Sequence, residues 1–223
     1  MSPRRTPRAE LESGLAALGL SLDVAAIDRL LAYLDELEKW NRAYNLTAVR
    51  QPLEMVTRHL LDSLAVLPRV RGPVLDVGSG AGLPGLPLAM ACSSLNVDML
   101  DSNGKKVRFL RHAVRTLQLE NVKVIDARAQ AWQPDVLYAC VISRAFARLS
   151  DFLAQTAHLA SADGQWLAMK GKLDAQELAE VPEGFRIVDV KPLQVPGLPE
   201  ARHLIVAARV PESRVPNPES RSL

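Results

Sequence analysis

The residues best suited to binding chemistry lie in one short stretch, VLDVGSGAGLPG, at residues 74–85. An apolar run containing Asp76 passes into a turn rich in glycine, and small residues then lead toward a helical segment. This order is typical of a strand, a loop that cradles a nucleotide-like ligand and a helix N-terminus. Gly78 and Gly80 allow close approach of a ligand because they lack a Cβ and adopt positive φ readily. A purely structural turn is the alternative, but a second acid downstream, Asp101, favours a cofactor loop.

Two cofactor classes fit this loop. GAGLPG, residues 80–85, matches G-x-G-x-x-G, and Asp101 lies at the spacing expected for an acid that binds a ribose. A nicotinamide dinucleotide and S-adenosylmethionine both satisfy these features. Asp76 favours S-adenosylmethionine, because an acid at this point can orient the cationic methionine end but repels a pyrophosphate. An expected antiparallel hairpin at the end of the sheet, and the lack of a second domain for a dehydrogenase's substrate, point the same way.

Composition predicts one compact domain with an extension and no membrane segment. The chain has 223 residues, of which 48% are apolar, and no apolar run is long enough to span a membrane. The first ten residues lack the hydrophobic core of a signal peptide, so we expect a cytoplasmic protein. Cys92 and Cys140 have apolar neighbours, which fits a reducing compartment without disulfides, and the four scattered histidines give no metal site.

Positive charge is concentrated around the glycine loop. The formal net charge is +2, but residues 65–150 carry 11 Lys and Arg against 6 Asp and Glu. A polyanionic partner close to the cofactor is therefore plausible, and a solvated basic face is the alternative.

The sequence before the loop predicts a helical cap at residues 10–66, after a disordered segment at residues 1–9. Leucines recur at helical spacing from Leu11, and Gly19 is expected to end that helix. Ser21 or Asp23 is expected to cap a longer second helix, and a third helix is expected after Pro52.

Strands and helices alternate from residue 73 onward, which predicts a doubly wound α/β domain at residues 67–210. The tail at 211–223 has little to bury and is expected to be disordered. We expect five strands linked by helices, at 74–77, 96–100, 122–126, 136–142 and 165–169. The helices are expected at 85–91, 104–117 and 149–160, and two further strands at 185–190 and 203–210 form a hairpin. The fold class is therefore α/β, a doubly wound, mostly parallel, seven-stranded Rossmann-like sheet with a C-terminal antiparallel hairpin.

Polar and basic residues in three places are candidates for binding a polyanionic partner. The segments around residues 40–63 hold more hydrogen-bonding groups than a helical hairpin needs, although capping and turning the chain is an equal alternative. The expected helix after the second strand carries a basic stripe that starts beside the cofactor. Lys170, Arg202 and His203 lie at strand ends that the fold could bring to the same rim. The aromatic content of 4% is too low for a stacking platform, so phosphate and shape contacts are expected to dominate. The candidates are Asn45, Arg58, His59, Lys105, Arg108, Arg111, Arg144, Lys170, Arg202 and His203.

Eight segments, in the same order over nearly the whole chain, carry a family resemblance. They are NLTAVR at 45–50, RHLLDSL at 58–64, LDVGSGAGLPGLPLA at 75–89, LDSNGKKVRFLR at 100–111, LENV at 119–122, VISRAFA at 141–147, MKG at 169–171 and RHL at 202–204. The chain resembles the ribosomal RNA small-subunit methyltransferase G family, also called glucose-inhibited division protein B. GLPG-x-PLA and VISRAFA are far more specific than a glycine loop.

This resemblance implies methylation of a guanine N7 in bacterial small-subunit (16S) ribosomal RNA near the decoding centre, with S-adenosylmethionine as the methyl donor. Asp76, Gly78, Gly80 and Leu83 are then expected at the cofactor, and Asp101 is expected to accept from the ribose hydroxyls. The adenine contacts map to Ala129 and Gln130, where Gln130 replaces an acid often present in the family. Arg144 resembles the family's cofactor-contacting arginine and is also placed to hold RNA; a structural salt bridge is its alternative.

Guanine N7 chemistry needs no catalytic acid or base in the protein. N7 already has an in-plane lone pair and no proton, so positioning and electrostatics suffice. Methylation of an exocyclic amine would call for an N/D-P-P-Y/F tetrad after the fourth strand, where this chain has Ile142-Ser143-Arg144-Ala145. Carbon-5 methylation would need a thiolate, and Cys140 lies inside an apolar strand. A nicotinamide-dependent reductase and a non-enzymatic assembly factor are the rival functions, and we expect a monomer without a metal.

Overall fold

A single sheet organises the chain, which this computed structural model describes at residues 5–144 and 146–211. Its strands are β1 (Val74–Val77), β2 (Val97–Asp101), β3 (Val122–Asp126), β4 (Tyr138–Ser143), β5 (Ala160–Lys170), β6 (Phe185–Pro192) and β7 (His203–Arg209). They pair in the order β3-β2-β1-β4-β5-β7-β6. The first five strands are parallel, and β7 is antiparallel to both β5 and β6. The predicted fold class, with its antiparallel hairpin at one edge, is confirmed.

Helices cover both faces of this sheet. They are α1 (Pro7–Ala17), α2 (Val24–Tyr44), α3 (Pro52–Met55), α4 (Asp62–Leu64), α5 (Gly85–Ala91), α6 (Gly104–Thr116), α7 (Leu149–Thr156) and α8 (Ala175–Ala179). A π-helical turn, Val56–Leu61, joins α3 to α4 without a break in the helix. The short helix α8 was not predicted, and it has no buried residue that would produce an apolar pattern.

Alternation along the strands gives the sheet two different apolar faces. Val74 and Val97 pack with α5, α6 and the N-terminal helices, whereas Leu75 and Val141 pack with α7. Because successive side chains on a strand point to opposite faces, Asp76 lies on the same face as Val74. This places its carboxylate beneath the N-terminus of α5.

The N-terminal helices share one continuous core with the first face of the sheet. Thr6 caps α1 by accepting from the backbone N–H of Ala9, and Pro7 stands at the first helical position. The expectation of disorder over residues 1–9 is therefore wrong for residues 7–9, while residues 1–4 lie outside the described part. Asp23 caps α2 as expected, with its Oδ1 2.6 Å from the Ala26 nitrogen.

Several boundaries differ from the sequence-based expectations. The helix expected at 149–160 ends at Thr156, and β5 begins at Ala160 because Ala160 pairs with Tyr138 of β4. Strand β4 itself begins two residues later than expected, and Val136 before it is 70% exposed. Most of the tail expected to be disordered, residues 212–223, lies outside the described residues. Within the described ranges, no helix is both long and apolar enough to cross a membrane.

A buried hydrogen bond ties α2 to the glycine loop. The hydroxyl of Tyr33 donates to the carbonyl oxygen of Ala81 at 2.7 Å, and the Tyr33 side chain has no exposed surface. A carbonyl in this position has no access to water, so its hydrogen bonding depends on the tyrosine.

We predict that Tyr33→Phe lowers the free energy of unfolding by about 1–2 kcal/mol, because the Ala81 carbonyl is left buried without a donor. Denaturant unfolding measures the effect. Tyr44→Phe is the matched control: Tyr44 lies on the same helix, is 39% exposed and should change stability by less than about 0.5 kcal/mol. Equal stabilities for the two variants would contradict a structural role of the Tyr33 hydroxyl.

Candidate functional site

A cavity of about 240 Å³ lies at the carboxyl ends of β1, β2 and β3. We call it the first cavity. It brings together four of the predicted cofactor residues, Gly78, Asp101, Ala129 and Gln130. The other lining residues, which the sequence did not single out, are Val77, Leu100, Ser102, Ala127, Arg128, Phe146 and Gln155.

Backbone donors fix the carboxylate of Asp101 at the wall of this cavity. Its Oδ2 accepts from the Gly80 nitrogen at 2.9 Å and its Oδ1 accepts from the Asn103 nitrogen at 2.8 Å. The Lys106 ammonium lies 3.9 Å from Oδ2. Each carboxylate oxygen keeps a further lone pair, so Asp101 can still accept from two vicinal hydroxyls of a ligand.

Asp76 is fully buried and only half satisfied. Its Oδ2 accepts from the Gly85 nitrogen at 2.9 Å, whereas its Oδ1 has no partner among the described residues. A Cβ on residue 85 would lie 2.7 Å from Oδ2, so glycine is required there. Burial raises the pKa of Asp76 to about 7, against the lowering effects of the Gly85 N–H and of Arg144.

The remaining predicted cofactor residues lie behind or beside the first cavity rather than in its wall. Gly80 supports the wall through its bond to Asp101, with a φ of 61° that suits glycine. Leu83 is 4% exposed and belongs to the apolar core. The guanidinium of Arg144 points away, toward Asp62.

A second cavity, of about 330 Å³, lies at the ends of β4 and β5 and at the start of β7. We call it the second cavity. It adjoins the first because parallel strands end at one edge of the sheet, and the segment after β4 contributes Arg144 to one and Phe146 to the other. Its lining residues are Val49, Arg58, His59, Asp62, Arg144, Met169, Lys170, Gly171 and Arg202. The cavity brings Lys170 and Arg202 together with Arg58 and Arg144, whereas His203 and the basic residues of α6 are not part of its lining.

The sequence analysis did not single out Val49, Asp62, Met169 or Gly171 of this cavity, and Asp62 is the charged residue among them. It is 1% exposed, and it accepts from Arg144 Nη1 at 3.0 Å and from Arg202 Nε at 3.1 Å. Arg144 Nη1 also donates to the carbonyl oxygen of Arg58 at 3.0 Å. An acid inside the apolar helical run HLLDSL was the available signal, because such a carboxylate is buried only with partners.

Lys170 and His203 are held by the protein itself. The Lys170 ammonium donates to the carbonyl oxygens of Phe146 and Ala147 and lies 2.6 Å from Glu177 Oε1. His203 Nδ1 lies 2.7 Å from the carbonyl oxygen of Gly171. Both side chains therefore brace the ends of β5 and β7, and their contact with RNA stays a prediction.

His59 enters the second cavity as a neutral group. Its Nε2 lies 2.9 Å from Thr47 Oγ1, and its Nδ1 has no partner among the described residues. Burial lowers the pKa of His59 to about 4, with a smaller contribution from Arg144. His59 is consequently uncharged at neutral pH and offers hydrogen bonding rather than charge.

Asn45 ends α2 with a φ of 50°, and its side-chain oxygen accepts a hydrogen bond from Arg50, which fits the alternative that Asn45 only caps and turns the chain.

The basic stripe on α6 is confirmed as a solvent-facing surface. Lys105, Arg108 and Arg111 are exposed, while Val107 and Phe109 are buried. Asn103 caps this helix beside the first cavity by accepting from the backbone of Lys105.

Cys140 is not placed to act as a nucleophile. Cys140 is fully buried, and burial raises the pKa of its thiol to about 12. A thiolate is therefore not available there at neutral pH. The described ranges contain no cluster of three or more His, Cys, Asp or Glu side chains that could hold a metal ion.

Comparison with known proteins identifies the family. The model described as rRNA small subunit methyltransferase G (GidB) matches residues 26–205. The chain belongs to this family. A ribosomal RNA small subunit methyltransferase G of Chromohalobacter salexigens is 55% identical over 190 residues, covering 85% of this chain and 91% of the relative. That of Pseudomonas syringae pv. tomato is 49% identical over 201 residues, covering 90% and 95%.

Solved structures show the same fold at low identity. The glycopeptide N-methyltransferase MtfA complexed with S-adenosylmethionine aligns with a TM-score of 0.55 and 15% identity, covering 68% of this chain and 95% of that one. TrmN from Thermus thermophilus aligns with a TM-score of 0.52 and 19% identity, covering 70% and 53%. The methyltransferase G family uses S-adenosylmethionine and methylates guanine N7 of 16S ribosomal RNA. Of the two cofactor classes left open by the loop, S-adenosylmethionine is the correct one.

We predict that Asp76 makes the ligand-free protein less stable as pH rises. Its pKa of about 7 in the folded state exceeds its ordinary value of 3.8, so the folded state holds the extra proton between these limits. Stability from this group is present at low pH and is lost as pH rises toward 7. Asp76→Asn removes the effect and can still accept from Gly85.

Relative to Asp76→Asn, the wild type should therefore lose up to about 4 kcal/mol of unfolding free energy between about pH 4 and pH 7. Denaturant unfolding at several pH values measures the difference. Asp126→Asn, at an exposed end of β3, should show no such trend. A constant offset between wild type and Asp76→Asn at all pH values would mean that Asp76 is already ionised in the fold.

Proposed function

We propose that this chain transfers the methyl group of S-adenosylmethionine to N7 of a guanine in 16S ribosomal RNA near the decoding centre. Its substrate is the assembled or assembling small subunit, and the enzyme acts as a cytoplasmic monomer. The observation that carries the proposal is the pair of adjacent cavities along one edge of the sheet. One has a carboxylate fixed for hydroxyl binding, and the other is lined by cations.

The first cavity fits the adenosine part of the cofactor. Asp101 would accept from the ribose hydroxyls, and Ala129 and Gln130 would contact the adenine. Gln130 Nε2 donates to Gln155 at 2.7 Å, which leaves its carbonyl oxygen free to accept from an exocyclic amine. Gly78, with a φ of 70°, lets the backbone approach the ligand closely.

Asp76 would hold the methionine end through the loop. Its buried Oδ1 lacks a hydrogen-bond partner, and an unpaired buried carboxylate oxygen destabilises the ligand-free protein. A cationic donor on the ligand would remove this free-energy cost. Gly80 and Leu83 contribute by shaping the loop that covers this end. The bound cofactor supplies a methyl group on a sulfonium, a leaving group that needs no activation.

The second cavity would hold the target guanine with N7 toward the methyl group. Since N7 has a free lone pair, the protein has no proton to remove and no residue is assigned as an acid or base. The positive charge passes from the sulfonium to the purine, so the net charge of the site is unchanged by the reaction. Enclosure between Val49 and Met169 would keep water away from the base.

The exposed side chains of α6 would bind the RNA backbone around this site. Lys105, Arg108 and Arg111 are free of ion pairs among the described residues, so their charges are available to phosphates. Arg58, although paired with Glu200, lies at the mouth of the second cavity and would extend this surface. Asn45 and His203 would contribute hydrogen bonds from its border.

Transfer of labelled methyl from S-adenosylmethionine to small subunits isolated from a strain lacking this protein tests the proposal. We expect N7-methylguanine at one nucleotide of 16S RNA, identified by mass spectrometry. A non-enzymatic assembly factor would instead bind the subunits and leave no methyl product. Absence of transfer to undermethylated subunits would overturn the proposal.

Asp101→Ala should raise the dissociation constant for S-adenosylmethionine at least tenfold, which corresponds to about 1.4 kcal/mol, because the ribose loses its acceptor. Calorimetric titration of the ligand measures this. Asp126→Ala is the matched control, because Asp126 pairs with Asp101 in the β2–β3 register but does not line the first cavity. Similar losses in both variants would remove the ribose role from Asp101.

Arg108→Glu combined with Arg111→Glu should weaken subunit binding at least tenfold and flatten its dependence on salt, because two phosphate contacts are lost. Cofactor affinity should not change. Arg186→Glu, exposed on the edge strand β6, provides the control for a charge change elsewhere. Unchanged subunit binding by the α6 variant would show that the stripe is only a solvated face.

A further inference from the structure

Asp62 lies at the centre of a buried charge cluster that the proposed function does not yet use. We call Asp62, Arg144 and Arg202 the Asp62 cluster. Its members come from α4, from the end of β4 and from the residue before β7, so three distant segments meet at one carboxylate. The π-helical turn before Asp62 is a backbone feature that often marks functional positions.

The charges of the second cavity balance everywhere except at this cluster. Arg58 pairs with Glu200, and Lys170 pairs with Glu177, so each of these cations has its own carboxylate. Asp62 instead forms ion pairs with two arginines, Arg144 and Arg202, although it carries only one negative charge. The cluster therefore carries a net charge of about +1 in a partly buried position. Such a position favours the binding of an anion.

Unused donors of the cluster are available to a ligand. Arg202 commits Nε to Asp62 and Nη1 to the carbonyl oxygen of Ala201, and Arg144 commits Nη1 to Asp62 and to Arg58. The remaining guanidinium N–H groups have no partner among the described residues, and both arginines line the second cavity. Guanidinium forks match the oxygens of a phosphate in geometry as well as in charge.

We infer that the Asp62 cluster is a binding site for the phosphate of the target nucleotide, and that Asp62 is the positioning residue that fixes both arginines before RNA binds. The inference rests on the proposed function, because the phosphate belongs to the nucleotide whose base enters the second cavity. A base taken out of its stack carries its own phosphate to the mouth of the pocket. Arginines already held in place would bind that phosphate without losing side-chain freedom.

Replacing Asp62 distinguishes positioning from simple electrostatics by the direction of the effect. Removing an acid from an RNA-binding surface should strengthen RNA binding if only net charge matters. If Asp62 positions the arginines, Asp62→Asn should weaken binding, because two guanidinium groups lose their common anchor and repel each other. Glu200→Gln is the matched control: it removes one negative charge from the same rim, at a carboxylate that is 46% exposed and bonds a single arginine.

The experiment measures KM for undermethylated small subunits, kcat, and the slope of log binding constant against log salt, using the full-length protein. For Asp62→Asn we expect KM to rise at least tenfold and the salt slope to fall in magnitude by about one, as for one lost phosphate contact. For Glu200→Gln we expect KM to be unchanged or lower. Wild-type levels of KM and salt slope in Asp62→Asn would overturn the inference.

Arg202→Gln keeps the test decisive if Asp62→Asn does not fold, which thermal unfolding would show. Arg202 lies outside the first cavity, so we expect the same rise in KM and the same fall in salt slope with cofactor affinity within twofold of wild type. A rise in KM without any change in the salt slope would contradict a phosphate contact and assign the cluster to the base. Failure of the proposed function is recognised separately, because the wild type itself would then transfer no methyl group.

Discussion

Two buried carboxylates hold the glycine loop in shape, and the rest of the site depends on these contacts. Asp101 accepts from the nitrogen of Gly80, and Asp76 accepts from the nitrogen of Gly85. The two acids lie on neighbouring parallel strands, so the pairing of β1 with β2 sets the distance between the two carboxylates that hold the loop. Tyr33 adds a third bond from the helical cap to Ala81. The loop is therefore preorganised by the strands below it and by the helix above it, which lowers the cost of ordering it when a ligand binds.

Charge pairing organises the neighbouring cavity in a different way. Its cations are held by acids from other segments. The pairs of Arg58, Arg144 and Arg202 join the helical cap to the end of the sheet and to the C-terminal hairpin, and the pair of Lys170 joins β5 to α8. Asp62 has the largest part in this arrangement, since its carboxylate joins α4 to the ends of β4 and β7. Paired arginines in a partly buried site are less mobile than free surface arginines, so they can present fixed donors to a substrate. The same contacts thus join the parts of the fold and shape its second cavity.

Local patterns predicted most of the fold and some residues of the first cavity, although seven of its eleven lining residues were not predicted. Strands β1 and β3 have the predicted bounds, because a short apolar run between turn residues leaves little freedom in where the strand begins and ends. Gly78 and Asp101 were found because the loop and the acid after β2 stand at a spacing set by one βα unit. Boundaries failed where long-range pairing decides them, as at Ala160, whose strand begins where it meets Tyr138. The helical start at Pro7 depended on a cap that a charged, proline-containing segment concealed.

The sequence by itself determined the α/β class, a mostly parallel sheet with an antiparallel hairpin at one edge, the cofactor loop and the family, because all of these follow from local spacing and from motifs. Only the tertiary structure decided which charged residues act together. Asp62, Arg144 and Arg202 stand far apart in the chain, and nothing local shows that one buried carboxylate serves both arginines. The structure also separated His59, neutral through burial, from the exposed cations of α6. Burial and long-range partners set the charge and direction of a side chain, and both arise only when the chain is folded.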